Sequence, residues 1–158
     1  MPIYMNYNNI KGDTTAEGHA NWIELNSFQW GVGRGISSPT GGAADRESSA
    51  PSVSEITCSK ATDISSTKLY NEALQGEGQK VLIDFCKTEK GKLEIYMQYT
   101  LTDCMVSGYS LSSGGDRPSE SLSLNFTKIE YKFIGMDETG KLGSPDTVTY
   151  DIGKAKVV

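Results

Sequence analysis

Apolar and polar residues alternate with a period of two along most of the chain. In KLEIYMQYTL, residues 92–101, Leu93, Ile95, Met97, Tyr99 and Leu101 share one parity. Glu94, Gln98 and Thr100 take the other, with Tyr96 the only large ring among them. That alternation predicts a half-buried strand with the first set on one face. SLSLNF, residues 121–126, alternates Leu122, Leu124 and Phe126 against Ser121, Ser123 and Asn125, and the phase then slips to Ile129, Tyr131 and Phe133. A one-residue slip predicts a β-bulge near Thr127–Lys128, which bends a strand as a barrel requires. WIELNSFQWGV, residues 22–32, slips in the same way between Ile23/Leu25 and Phe28/Trp30, predicting a second bulge near Asn26–Ser27. Further strands are expected at 3–8, 53–60, 80–87, 104–111 and 147–152.

One segment departs from this period. SSTKLYNEALQGEG, residues 65–78, spaces Leu69/Ala73 and Tyr70/Leu74 four apart, which predicts a helix at about 65–76. Ser65 or Ser66 is the expected N-cap, and Gly76 or Gly78 the expected left-handed end. The helix is expected to plug an open barrel end. Residues 34–52, RGISSPTGGAADRESSAPS, have no period and read as a long projecting loop. MDETGKLGSPD, residues 136–146, reads as a shorter polar loop. The whole chain, 1–158, reads as one mainly β domain, a barrel or sandwich of antiparallel strands with one short α-helix.

Composition narrows the function. Hydrophobic residues make up 37% of the 158 and charged residues 22%, enough for a packed core. The formal net charge of −5 disfavours nucleic acid and anionic lipid as partners. MPIYMNYNNIKG shows no basic stretch followed by an apolar one, so no secretory signal is read, and no membrane insertion is expected. Cys58, Cys86 and Cys104 are odd in number and widely spaced, which suits free thiols in a reduced compartment.

Candidate chemistry is sparse. His19 is the only histidine and has no ligand partners at metal spacing, so it reads as structural, and no metal or cofactor is expected. GVGRG, residues 31–35, lacks the following helix that a dinucleotide fingerprint needs. GYSLS, residues 108–112, has Ser where a nucleophile elbow needs Gly, and GGDRPSES, residues 114–121, lacks the Gly-Lys-Ser/Thr of a phosphate loop. Gly114–Gly115 and Pro118 instead suit a turn between strands. Arg117, with Asp116 and Glu120, can pair within the chain or with another chain.

Taken together, IKG at 10–12, HANWIELNSFQWGVGR at 19–34, the Gly/Ser-rich loop, SVSEITCSK at 52–60, CMVSGYSLSSGGDRPSESLSLNFTKIEY at 104–131 and YDI at 150–152 resemble the Hcp family, the haemolysin-coregulated proteins of type VI secretion systems. The loop departs from the family in having AADRES where many members have an almost pure glycine run. The resemblance implies a small β-barrel of two sheets with one helix, six copies closing into a ring, and rings stacking into the inner tube of a contractile injection machine. It implies no catalysis. The partners it implies are further copies of the chain, effectors in the lumen, and sheath and spike proteins. It also implies assembly in the cytoplasm followed by export through the machine, and, with the chain ending at Val158, no appended toxin domain. A stand-alone barrel that binds peptide or sugar, and a hydrolase with an unrecognised site, are the alternatives.

Strand alternation puts Phe28 and Trp30 inward and Gln29 outward, with Ser27 on the outward side after the bulge. The resemblance assigns this strand to the channel-lining sheet, so Ser27 and Gln29 are expected to face the lumen and cargo. Asp45, Arg46 and Glu47 in the long loop, with Asp116, Arg117 and Glu120, are expected at a ring or stacking interface.

Overall fold

The computed structural model describes residues 1–38, 40–41, 46 and 48–158. Twelve strands and one helix are present among them. In chain order they are β1 (Ile3–Tyr7), β2 (Ile23–Leu25), β3 (Ser27–Gln29), β4 (Val32–Gly33), β5 (Ser52–Val53), β6 (Ile56–Ala61), α1 (Ser66–Gln75), β7 (Gln79–Glu89), β8 (Lys92–Ser112), β9 (Ser119–Asn125), β10 (Lys128–Met136), β11 (Leu142–Asp151) and β12 (Lys156–Val157). All strand pairings are antiparallel.

Two sheets share β8. The first runs β12-β11-β10-β8-β7-β1-β2, and the second runs from β8 through β9 and β6 to β3. Residues 92–101 and 104–111, expected as separate strands, are one strand of 21 residues. It accommodates both sheets because it has three more residues than its neighbours need. Register shifts place the extra residue at Tyr96 and at Thr102–Asp103 against β7, and at Ser107 against β9. Asp103 takes a positive φ of 52°, uncommon for a residue with a side chain, at the point where β8 passes from one sheet to the other.

The bulge at Tyr96 overturns the single-face reading of this strand. Phe85 pairs with Met97 but Cys86 pairs with Ile95, and consecutive β7 residues face opposite sides. Leu93 and Ile95 therefore lie on the side opposite Met97, Tyr99 and Leu101. Tyr96 turns towards the core, where its ring meets Phe85 and Phe133.

The slips at Asn26 and at Phe126–Thr127 are not bulges within one strand. Each is a hand-over between sheets. β2 pairs with β1 and β3 with β6, while the Asn26 N–H donates to the Ser59 carbonyl at 2.7 Å. β9 pairs with β6, and β10, two residues later, pairs with β11. Hydrophobic phase must reverse at such a crossing, because the new sheet presents its other side to the same core.

That core is closed by Met5, Tyr7, Ile23, Ile56, Leu69 and Ile83, together with Leu101, Leu122 and Leu124, all without solvent exposure. Phe28 and Trp30 do face inward, against Phe85, Tyr99 and Tyr131, with ring centroids 4.9–6.0 Å apart. The helix presents Leu69 to the barrel and leaves Tyr70 and Leu74 exposed. Its ends differ from expectation. Ser65 makes no side-chain capping bond, because its hydroxyl is taken by Asp63. Gly76 is extended (φ −69°, ψ 151°) rather than left-handed, and glycine is needed there because a Cβ would fall 2.6 Å from the Glu72 carbonyl oxygen.

Both expected loops contain strand pairing among their described residues. β4 and β5 pair at the base of residues 34–52, and Ile36 bridges Ser48 further out, so the described part is an antiparallel ribbon. Within 136–146 only the turn is loop. β10 and β11 form a hairpin whose Asp137 Oδ1 accepts from the backbone N–H groups of Thr139 and Lys141.

Residues 8–22 fold across the outward side of the first sheet, and His19 fixes them there. His19 is 4% exposed. It stacks on Tyr4, meets Trp22 edge-on, and its Nε2 lies 2.8 Å from Asp84 Oδ2. Asp84 Oδ1 accepts from Gln98 Nε2 at 2.6 Å. These contacts tie residues 8–22 to β1 and β7 through His19.

Candidate functional site

The outward face of the second sheet is an almost uncharged plane of hydroxyls. One cross-strand row is Ser27, Ser59, Ser121 and Ser110; the next is Gln29, Thr57, Ser123 and Gly108; a third is Ala61, Ser119 and Ser112. Ser27 and Gln29 are exposed, with Ser27 Oγ 2.5 Å from Ser59 Oγ. The structure thus places both on the outward side predicted by alternation. Inward positions on the same strands hold Ile56, Cys58, Leu122 and Leu124.

One acid stands on this plane, and sequence reasoning passed over it. Glu55 precedes β6 in phase with Thr57 and Ser59, and it is exposed. Its Oε2 accepts from the Ser107 hydroxyl, which also lies 3.2 Å from the Ser123 carbonyl oxygen. Ser107 is on β8 and Glu55 beside β6, with β9 between them, so the carboxylate lies over the outward side of β9. The parity of SEITCS carried this signal.

The segment GGDRPSES works inside the chain. Glu120, expected at an interface, is 1% exposed and therefore not available to another subunit. Its parity is that of Leu122 and Leu124, so it points inward, where Lys60 Nζ lies 3.1 Å from Oε1 and the Ser66 hydroxyl donates to Oε2. Lys60 is itself fully buried and also reaches Asp63 Oδ1 at 3.0 Å and the Ala61 carbonyl at 3.0 Å. Burial, with the Glu120 charge next, pushes the Tyr109 hydroxyl up to about 12. Arg117 is exposed but is also engaged within the chain. Its Nε donates to the Thr62 carbonyl at 2.6 Å, and a terminal nitrogen lies 3.5 Å from Asp13 Oδ2. Thr62 in turn donates its N–H to the Pro118 carbonyl at 3.0 Å. The motif therefore locks the start of α1 onto β6 and β9. Asp116 and Arg46 are exposed, whereas Asp45 and Glu47 lie outside the described residues.

A second surface is apolar. The core-facing side of the first sheet continues onto β10, β11 and β12 beyond the barrel. There Trp30, Val32, Val53, Tyr131, Val148 and Val157 line an open groove of about 200 Å³. Val148 is 56% and Val157 66% exposed, and the buried Trp30 Nε1 has no hydrogen-bond acceptor among the described residues. No group of His, Cys, Asp and Glu suited to a metal ion is present among the described residues. Burial pushes the Cys86 thiol up to about 11 and those of Cys58 and Cys104 up to about 12, so none is an activated nucleophile. No described helix is long and apolar enough to cross a membrane.

Comparison with known proteins agrees with this architecture. A structure described as a type six secretion system protein superposes with a TM-score of 0.89 at 23% identity, covering 99% of both chains. Hcp1 from Salmonella typhimurium gives 0.77 at 22% identity over 99% of this chain and 98% of its own, and a type VI secretion system effector from Yersinia pestis gives 0.72 at 21% over 94% and 98%. At these identities the likeness shows the fold. No curated protein matches by sequence. The family described as "Type VI secretion system effector, Hcp" matches residues 4–133, most of the chain, and the chain belongs to that family.

Proposed function

We propose that the chain is a structural subunit of the type VI secretion inner tube, forming stacked hexameric rings that hold effectors and leave the cell with them. Family membership supports the tube role and secretion. The observation that carries the reading in this chain is the apolar overhang of β10–β12. A groove of valines and aromatic rings, with a buried indole N–H lacking an acceptor, is costly to leave in water. A neighbouring copy covers it, in a heterologous contact that closes into a ring. A stable contact of this kind buries roughly 1,000 Å² or more, so surfaces beyond the groove take part. The segment 34–52, with Arg46 exposed, is the part assigned to neighbours or to the next ring, together with Asp116 and Arg117.

In this reading the hydroxyl plane bearing Ser27 and Gln29 faces the channel. A wall of small hydroxyls stays hydrated and lacks the apolar patches that would hold a passing protein fast. Assembly takes place in the cytoplasm, sheath and spike proteins complete the machine, and the chain performs no catalysis. The test is particle mass by light scattering with negative-stain microscopy. The parent is expected to give rings, and Val148→Lys, which puts a charge in the groove at an already exposed position, to give smaller particles with unchanged circular dichroism. A parent that remains monomeric at micromolar concentration overturns the proposal.

A further inference from the structure

We infer that Glu55 selects for cationic cargo, acting as the charged contact on a wall that is otherwise neutral; this rests on the channel-facing reading of the hydroxyl plane. The rows across β3, β6, β9 and β8 supply Ser, Thr, Gln, Ala and Gly, with Asn125 and Met105 in the row nearest Glu55, and carry no formal charge. Glu55 forms no ion pair among the described residues. Its Oε2 is held by Ser107, and Oε1 takes no donor among the described residues. The carboxylate is thus oriented across the plane, exposed, and left with an acceptor oxygen free.

Such a group discriminates by sign. A lysine or arginine on a cargo surface gains a charge-assisted hydrogen bond to Oε1, whereas an aspartate or glutamate meets a like charge. The discrimination is local. A compact chain of this length has a radius of gyration of about 15 Å. Equivalent carboxylates on neighbouring subunits are therefore separated by more than the screening length of about 8 Å at physiological salt. Each Glu55 acts as a separate handle, and selectivity grows with the number of handles a cargo engages at once. One exposed pair changes affinity by roughly two- to five-fold, weak enough for the cargo to let go.

The experiment uses assembled rings and two fluorescein-labelled peptides matched in length, one lysine-rich and one glutamate-rich, read by anisotropy at low and physiological salt. The parent is expected to retain the lysine peptide at least two- to five-fold better. E55Q is expected to reduce the preference at physiological salt, where the net charge of −5 per chain contributes least, E55K to reduce it further, and Ser107→Ala, which frees the carboxylate but keeps its charge, to leave it as in the parent. Gln29→Arg, on the same plane, separates the two readings. If Gln29→Arg shifts peptide capture but E55Q leaves the preference intact, the role of Glu55 is overturned while the channel reading stands. If neither substitution alters capture by intact rings, the channel-facing reading itself fails.

Discussion

Lys60 Nζ lies 3.1 Å from Glu120 Oε1, and neither side chain is reached by solvent. The pair joins β6 to the start of β9 and, through Ser66, to the first turn of α1. Lys60 keeps Asp63 when Glu120 is lost, whereas Glu120 loses its cation when Lys60 is lost, an uncompensated buried charge that costs about 3–5 kcal/mol. Lys60→Met is expected to lower the thermal midpoint by roughly 6–20 °C for a chain of this size. The double variant Lys60→Met/Glu120→Leu is expected to recover most of the loss, since an apolar pair carries no desolvation penalty. A double variant no more stable than the single one would contradict this account.

His19→Ala is expected to destabilise by about 2–3 kcal/mol, from the lost bond to Asp84 and the emptied space between Tyr4 and Trp22. The effect is expected to be regional. Amide exchange should rise first in residues 8–22, with β9 and β6 protected as before.

The buried thiols predict alkaline sensitivity. Cys58, Cys86 and Cys104 have folded pKa values raised from 9.0 to about 12, 11 and 12 by burial. A raised folded value means that the stabilisation is fully present below pH 9 and is lost as pH rises from there towards 11–12, because only the unfolded chain can release the protons. Thermal midpoints are expected to fall across that window, less steeply in a variant with all three cysteines replaced by alanine. Thiol labelling of the native protein near pH 8 should be limited by unfolding.

Gly12 faces backbone. A Cβ there would lie 2.3 Å from the Trp22 carbonyl oxygen, a clash that no side-chain movement relieves. Gly12→Ala is expected to cost about 1–3 kcal/mol. Gly31→Ala, where a Cβ meets nothing within 4 Å, is expected to cost far less, and denaturant midpoints compare the two.

Much of the barrel was legible from period two, because a strand with one face in the core has to alternate. Even the buried ion pair left a trace. Lys60 shares parity with Ile56 and Cys58, and Glu120 with Leu122 and Leu124, so opposite charges stood at two inward positions. Their pairing depends on β6 and β9 being neighbours, which no local pattern states. The bulge at Tyr96 was hidden because an apolar residue occupies the extra position and both flanking parities look alike. The break at Asp103 looked like the end of a strand because hydrogen bonding to β7 resumes beyond it only by tolerating a positive φ. The overhanging groove was invisible, since Val148 reads as an ordinary residue of the strand expected at 147–152 and Val157 falls in no expected element.

The sharing of β8 between both sheets has a mechanical consequence. A force along this strand loads its hydrogen bonds to β7, β9 and β10 in shear, so many must yield together rather than open one by one from an end. The strand behaves as a tie rod: the barrel and the overhang, each fastened to the same 21 residues, move as one body when the subunit is pushed or pulled along it.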